Sequence, residues 1–204
     1  NKLMTGLCQM KDIRNSLRRC ADGETPDHVE LFEIKGYLQR LDGMRPLFEQ
    51  INAVTHFKGM TFHEVKDALA VLDPDGTGSR GFYIPDSATA KLKEIRSAKK
   101  EVEERLFHAQ TDAEKDDLRL KRTRLCGEED AEEMHVRKAM GAALAPMVDD
   151  LLSDAETAGR LDFIIQKALF AVRYGGVKPE LTEKDLELVE LCREHDMGFI
   201  AMKG

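Results

Sequence analysis

The chain has 204 residues, a net charge of −7 and 34% charged residues, and it contains no tryptophan. That length suffices for one or two domains with a substantial core, and a composition rich in Glu, Lys, Leu, Arg and Ala is typical of long helices. The acidic balance argues against a free-standing nucleic-acid-binding protein, although it leaves room for a local basic surface. No apolar run is long enough to cross a membrane and no signal peptide is evident, so we expect no membrane partner.

The cysteines are scattered along the chain and form no CxxC pair. This spacing predicts free thiols in a reducing cytoplasm, and neither a disulfide framework nor a zinc site. The residue at position 1 is Asn, which suggests that the sequence was cut from a longer protein. The cysteines are Cys8, Cys20, Cys126 and Cys192.

Residues 1–87 are predicted to form a helical core domain that ends in a connector loop. Apolar residues recur at helical spacing from Leu3 to Cys20 and predict a first helix. Further helices are predicted from Pro26, from Pro46 and from Thr61, because proline favours the first turn of a helix and threonine its cap. These four helices are short enough to pack as a compact cluster.

Residues 88–174 are predicted to form a long antiparallel two-helix hairpin. An apolar stripe predicts one helix of roughly 35–40 residues, ~55 Å long, from Ala88 onward. Gly127 is the best stop signal, so the turn is predicted there, and the acids that follow suit the start of a returning helix. Pairing the two arms about that turn places Leu106 near Val148.

The returning arm contains Pro146, which should kink it or begin a new segment. We expect the arm to end at Tyr174, before two glycines. Residues 175–204 are then predicted to hold a C-terminal core helix, capped by Thr182, and an exit from the core. The predicted fold class is therefore all-α, a helical cluster with a long antiparallel hairpin.

The segment LDPDGTGSRGFYIPDS, residues 72–87, begins like a calcium-binding loop, because Asp73, Asp75 and Thr77 have the spacing of the first three ligands. The twelfth position should be a bidentate glutamate but is Ile84, and the apolar eighth position is Arg80. The tetrapeptide DPDG is an ordinary turn former. We therefore interpret the segment as a connector and predict no calcium site.

Other candidate sites are weak. His56 and His63 lack further ligands nearby, and a metal needs three or four. Cys192 and His195 share a helix face but have no recognisable catalytic context, and no phosphate-binding loop is present. We predict no catalytic residue, no metal site and no cofactor within these residues.

A basic segment, LRLKRTRL, is the candidate DNA contact. Its cations would lie beside the predicted hairpin tip, where they could reach phosphates. The alternative interpretation is that cations near the end of a helix complement its dipole, with Glu128–Glu133 offsetting them across the turn. The candidate residues are Arg119, Lys121, Arg122 and Arg124, which we call the basic stretch.

Three segments in order resemble the MutS family of DNA mismatch-repair ATPases. ELFEIKGYL, residues 30–38, resembles a helix of that family's core. LDPDGTGSRGFYIPDSATAKLKEIR, residues 72–96, is similar to the connector that leads from the core into a long lever helix. LDFIIQKALFAVRYGGVKPEL, residues 161–181, resembles the returning lever helix and the exit before the ATPase domain.

The resemblance implies a mechanical role without enzymatic activity in these residues. The core and lever would couple ATPase state to DNA backbone contacts in a homodimer, with ATP and Mg²⁺ bound by an ATPase domain expected beyond Gly204. Phe62, His63 and Glu64 match the family's mismatch-recognising wedge, but that wedge belongs to another domain. Here Thr61 and Glu64 are expected to form a capping box instead.

Two other functions stay open at this point. The hairpin could be a coiled-coil dimerisation or partner-docking module with no role in DNA binding. The chain could also be a metal-dependent enzyme built on a helical bundle, although the sequence lacks clustered carboxylates and histidines.

Overall fold

The computed structural model describes residues 2–176 and 190–194. This part of the chain is helical and contains no strand, which confirms the all-α class. Short 3-10 turns occupy Asp86–Ala88 and Ala145–Met147, and residues 190–194 are helical. The α-helices are α1 (Lys2–Cys8), α2 (Arg14–Ala21), α3 (His28–Thr55), α4 (Lys66–Leu72), α5 (Ala90–His108), α6 (Asp112–Leu144) and α7 (Val148–Tyr174).

None of the described helices is both long and apolar enough to cross a membrane. The helix predicted from Thr182 lies outside the described residues. The chain divides into two compact units, residues 1–160 and 161–204. The domain boundaries predicted after residues 87 and 174 stay predictions.

The main core of the first unit lies where α2, α3 and α4 pack with the C-terminal half of α6 and the start of α7. Pro26 is held against α6 because Arg137 donates a hydrogen bond to its carbonyl at 2.9 Å. Gly141 permits this approach, since a Cβ there would come within 2.9 Å of the proline ring. The core side chains include Leu17, Leu31, Ile34, Leu38, Leu41, Leu72, Ile84, Leu92, Leu144 and Leu151.

The first predicted helix is interrupted in the structure. It breaks between Cys8 and Arg14, where the Asp12 carboxylate accepts a hydrogen bond from the backbone N–H of Arg14 at 3.1 Å. The Arg14 guanidinium pairs with the same carboxylate at 2.6 Å. This local side chain–backbone hydrogen bond competes with a continuous helix, and α2 begins as a separate element.

The second and third predicted helices form a single helix, α3, that passes through Pro46. A proline inside a helix removes one backbone hydrogen bond. Buried Leu41, Met44 and Phe48 keep the same face of α3 against the core on both sides of the proline, and this burial offsets the loss. The helix ends at Thr55, because His56 adopts the left-handed conformation with φ 51°.

The antiparallel hairpin is present, formed by α5 and the first half of α6, but its predicted turn was wrong. The chain reverses at residues 109–111, and Gly127 lies inside α6. The turn is specified by Thr111, whose side chain caps α6 by accepting a hydrogen bond from the backbone N–H of Glu114. The expected first arm of roughly 35–40 residues is therefore a helix of 19 residues.

The shifted turn also changes which residues meet across the hairpin. Ile95 and Val102 of α5 pack with Leu118 and Leu125 of α6 in a small buried cluster of their own. The expected neighbours Leu106 and Val148 belong to different clusters. The acids from Glu128 onward lie inside α6 and do not begin a helix.

Pro146 has the predicted effect. It lies within the 3-10 turn at Ala145–Met147, which separates α6 from α7. The end of α7 at Tyr174 is also as predicted, because Gly175 follows with φ 65° and the N–H of Gly176 bonds to the carbonyl of Ala171 at 2.7 Å.

The described part of the second unit is mainly the C-terminal part of α7. Lys167 lies over the ring of Phe163, 5.3 Å from its centroid. Phe170 and Tyr174 pack with ring centroids 4.6 Å apart. These aromatic side chains are largely exposed.

Candidate functional site at the base and along the hairpin

The base of the hairpin is organised around one arginine, Arg96 of α5. Its guanidinium bonds to Asp86 at 2.5 Å, to Glu129 at 2.9 Å and to Glu133 at 2.7 Å. It also donates to the hydroxyl of Tyr83 at 2.6 Å and lies over that ring. We call Arg96 with its three carboxylates the Arg96 cluster, and it joins the connector loop to both helices of the hairpin.

The electrostatics of the Arg96 cluster favour its charged form. Burial alone would lower the pKa of Arg96, but the hydrogen bonds to Asp86, Glu129 and Glu133 raise it. Burial would likewise raise the pKa of Glu129, and the hydrogen bonds from Lys99 and Arg96 more than reverse this and lower it. Arg96 also lowers the pKa of Asp86.

A second set of contacts fixes the first turn of α5 against α6. The Thr89 hydroxyl caps α5 by accepting from the backbone N–H of Leu92 at 3.0 Å, and it donates to Glu132 at 2.9 Å. Lys91 pairs with the other oxygen of that carboxylate at 2.9 Å. Glu132 is buried, so both of its oxygens are used where α5 begins.

The basic stretch lies in the N-terminal half of α6, on the hairpin and beyond the Arg96 cluster. Arg119 pairs with Asp116 at 3.0 Å, and Arg124 pairs with Glu128 at 3.5 Å, both along α6. Arg122 pairs across the hairpin with Glu103 of α5 at 2.8 Å, and this hydrogen bond raises the pKa of Arg122. These pairs are exposed, so each is weak and readily exchanged.

Lys121 differs from its neighbours, because its side chain makes no ion pair or hydrogen bond with the described residues. The alternative explanation for the basic stretch, compensation of a helix dipole at a C-terminus, was wrong. The four cations lie in the N-terminal half of α6, beyond its first turn and far from its last, so they cannot complement the dipole at its C-terminus. The carboxylates of Asp116, Glu103 and Glu128 beside them offset three of the four charges.

The connector loop is held by its own first aspartate. Asp73 accepts hydrogen bonds from the Thr77 hydroxyl at 2.9 Å and from the backbone N–H of Gly78 at 2.8 Å. Burial would raise the pKa of this carboxylate, but these hydrogen bonds and the charge of Lys35 lower it. The Asp73 oxygens that resembled calcium ligands therefore organise the loop.

Elsewhere in the first unit, His63 links the segment before α4 to the first turns of α7. His63 Nδ1 lies 2.8 Å from the fully buried carboxylate of Asp154, and Nε2 lies 3.6 Å from Asp150. The hydrogen bond to Asp154 raises the pKa of His63.

The capping box expected from Thr61 and Glu64 was wrong, because α4 begins at Lys66 and no side chain caps it.

Phe62 and His63 are both used in packing. Phe62 packs edge-on against Phe48, with ring centroids 4.9 Å apart. Together with the His63 bond to Asp154, this contact gives the segment that matches the wedge a structural role in the core. No group of three or more metal-ligating side chains occurs among residues 2–176 and 190–194.

The sequence analysis missed several residues of this site. Glu129 and Glu133 were interpreted as acids that offset the basic stretch across a turn, and Glu129 also as an acid at the start of the returning helix. Lys35 was not singled out. The sequence did contain a signal for the turn, since Thr111 and Glu114 have the spacing of a capping box. Recognising it would have moved the residues expected opposite Arg96 from α7 to the first half of α6, closer to Glu129 and Glu133.

Comparisons with protein-family models, with curated proteins and with solved structures found no match for this chain.

Proposed function

We propose that the chain is the core and lever part of a MutS-like DNA-binding protein, in which the hairpin couples ATPase state to DNA. The ATP and Mg²⁺ would be bound by an ATPase domain, whose phosphate-loop motif these 204 residues do not contain. The protein would act as a cytoplasmic homodimer, and this part of it would have no enzymatic activity of its own.

The Arg96 cluster carries this proposal. Arg96 ends the segment that resembles the connector into the lever helix, residues 72–96. A lever transmits motion only if its base is fixed to the body that rotates. Arg96 bonds to the connector through Asp86 and to α6 through Glu129 and Glu133, so it supports a stiff base.

The basic stretch supports the DNA part of the proposal. Its exposed ion pairs cost little to exchange, so phosphates can replace the carboxylates of Asp116, Glu103 and Glu128. Helix cations of this kind contact the DNA backbone and not the base edges, so binding should be independent of sequence. At a net charge of −7 the affinity should be low and strongly dependent on salt.

Duplex DNA binding tests the proposal. Replacing Arg119, Lys121, Arg122 and Arg124 with glutamine should weaken binding roughly tenfold at low salt, and should reduce the salt slope by about 0.9 for each lost contact. A matched variant carries the same change of charge at four other exposed lysines. Its substitutions are Lys58→Gln, Lys93→Gln, Lys100→Gln and Lys138→Gln.

Fluorescence anisotropy with a labelled duplex over a salt series measures both effects, and circular dichroism checks helix content. If the basic-stretch variant binds as the wild type does, or if both variants lose the same affinity, the basic stretch is not the DNA contact.

A partner-docking module is the second candidate function. Phe107 and Leu120 lie toward the far end of the hairpin and are 85% and 72% exposed. Exposed apolar side chains of this size favour contact with another protein chain. Undiminished DNA binding by the basic-stretch variant would favour this function.

A further inference from the structure

A groove of about 400 Å³ lies beside α3 in the first unit. Lys11 lines it from the connection between α1 and α2, and Arg80 lines it from the connector loop. Phe32, Glu33 and Arg40 line it from α3. Three cations and one carboxylate therefore face one concavity, although the chain as a whole is acidic.

The cations of this groove are not neutralised by acids, in contrast to those of the basic stretch. Lys11, Arg40 and Arg80 make no ion pair with the described residues, and Glu33 makes none with them. Asp12, the acid next to Lys11 in the sequence, is already paired with Arg14 at 2.6 Å. The groove consequently offers positive charge that an anion can use without displacing a carboxylate.

The backbone on both sides of Arg80 is anchored. Gln39 donates a hydrogen bond to the carbonyl of Ser79 at 3.0 Å, and Lys35 donates one to the carbonyl of Gly81 at 3.2 Å. Lys35 is buried, so this second anchor is well shielded from water. The loop therefore holds the backbone of Arg80 beside α3 before any ligand arrives, which lowers the entropic cost of binding.

Arg40 is also held in place. Its guanidinium donates to the carbonyl of Gly36 at 2.7 Å, one helical turn earlier. A Cβ at Gly36 would lie 2.9 Å from that guanidinium, so the glycine makes room for this conformation. Arg40 keeps further N–H groups for a ligand, because a guanidinium carries five.

The groove also has an aromatic wall. Phe32 is 46% exposed although it lies on a helix whose other apolar residues are mostly buried. Proteins that bind single-stranded nucleic acid combine a cationic groove with aromatic side chains on which bases stack. The volume matches a site for a small molecule or one nucleotide unit, whereas a duplex is too wide to enter it.

We propose that this groove binds single-stranded nucleic acid, with backbone phosphate on Lys11, Arg40 and Arg80 and a base stacked on Phe32. The proposal goes beyond the function proposed above, which concerns duplex DNA at the basic stretch. The two sites share no residue, so each can fail alone.

Binding of a fluorescein-labelled oligothymidylate to the full chain tests the proposal. The double variant Lys11→Gln with Arg80→Gln should weaken binding about tenfold at low salt. The matched pair Lys58→Gln with Lys138→Gln, which removes two exposed lysines outside the groove, should leave it within about twofold. Equal losses in the two double variants would overturn the proposal.

The stacking part has its own test. Phe32→Ser should weaken oligothymidylate binding about fivefold, and it should not change the binding of an abasic strand of equal length. If Phe32→Ser weakens both strands equally, the aromatic contact is wrong. The basic-stretch variant should retain oligothymidylate binding, and a loss there as large as in the groove variant would show a general charge effect and overturn the groove site.

Discussion

Two arginines on the hairpin, Arg96 and Arg122, both connect α5 to α6, but in different surroundings. Arg96 has three carboxylate partners and is 12% exposed, whereas Arg122 has one partner and is 48% exposed. A shielded arginine with several partners cannot release them without leaving buried charges, and an exposed pair can. The comparison indicates that the base of the hairpin is built to stay closed and the basic stretch to exchange partners.

The largest effect is expected from Arg96→Met. This change leaves Asp86, Glu129 and Glu133 close together without their shared cation, and the expected loss is about 3 kcal/mol of unfolding free energy. Urea unfolding followed by circular dichroism measures it. The matched variant Arg122→Met should leave the unfolding midpoint unchanged, and equal losses in the two variants would remove the distinction between base and basic stretch.

The next effect concerns the seam of the hairpin. Leu118 is buried and Leu120 is 72% exposed, although they are two residues apart. Leu118→Ala should cost about 2 kcal/mol, at the low end for a buried leucine because a two-helix seam can collapse around the gap. Leu120→Ala should be close to neutral. Urea unfolding measures both losses. If Leu120→Ala cost more unfolding free energy than Leu118→Ala, the result would favour the turn at Gly127 and contradict the one at residues 109–111.

A smaller effect is expected at the turn itself. Thr111 caps α6, so Thr111→Ala should cost about 1 kcal/mol. Thr111→Asn preserves the cap and should restore most of that loss. Hydrogen exchange should show faster exchange in the first turn of α6 only. Loss of protection at the Arg96 cluster as well would mean that the two ends of the hairpin are coupled.

The smallest effect concerns pH. The pKa values of Glu129 and Asp86 are lowered in the folded protein from ordinary values of 4.5 and 3.8. A lowered carboxyl pKa gives stability that is present above the ordinary value and lost as the pH falls below it toward the folded pKa. Thermal unfolding should therefore shift to lower temperature as the pH falls from about 5 to about 3, and less steeply in Arg96→Met. An equally steep shift in both proteins would exclude Arg96 as the cause.

The sequence was sufficient for those parts of the fold that local signals specify. Pro146 predicted a break in the helix, because its ring clashes with the preceding helical turn and it has no backbone N–H to donate. The helix is broken at Pro146 in the structure. Pro46 carried the same local signal but does not break α3, because burial of Leu41, Met44 and Phe48 against the core outweighs one lost hydrogen bond. Tertiary packing of this kind is not visible in a single sequence.

The error at the hairpin turn had a different cause, because a local signal was present in the sequence and the wrong one was chosen. Gly127 was the more conspicuous signal, but a glycine inside a helix costs only about 1 kcal/mol. Thr111 with Glu114 was the decisive signal, since the Thr111 side chain caps the start of α6. The error carried over to the candidate site, because the arms were paired out of register and the partners of Arg96 could not be identified.

The account depends most on a stiff hairpin base, and the distance between hairpin and core measures this directly. Spin labels at positions 54 and 107 suit the measurement, since Val54 on α3 and Phe107 on α5 are 80% and 85% exposed. Both positions would be changed to cysteine after Cys8, Cys126 and Cys192 are replaced by serine.

Double electron–electron resonance should give one narrow distance distribution for this labelled protein. With Arg96→Met the distribution should broaden while helix content is retained, and with Arg122→Met it should stay narrow. A broad distribution before any change at Arg96, or a narrow one that Arg96→Met leaves unaltered, would contradict the claim that the Arg96 cluster fixes the hairpin to the core.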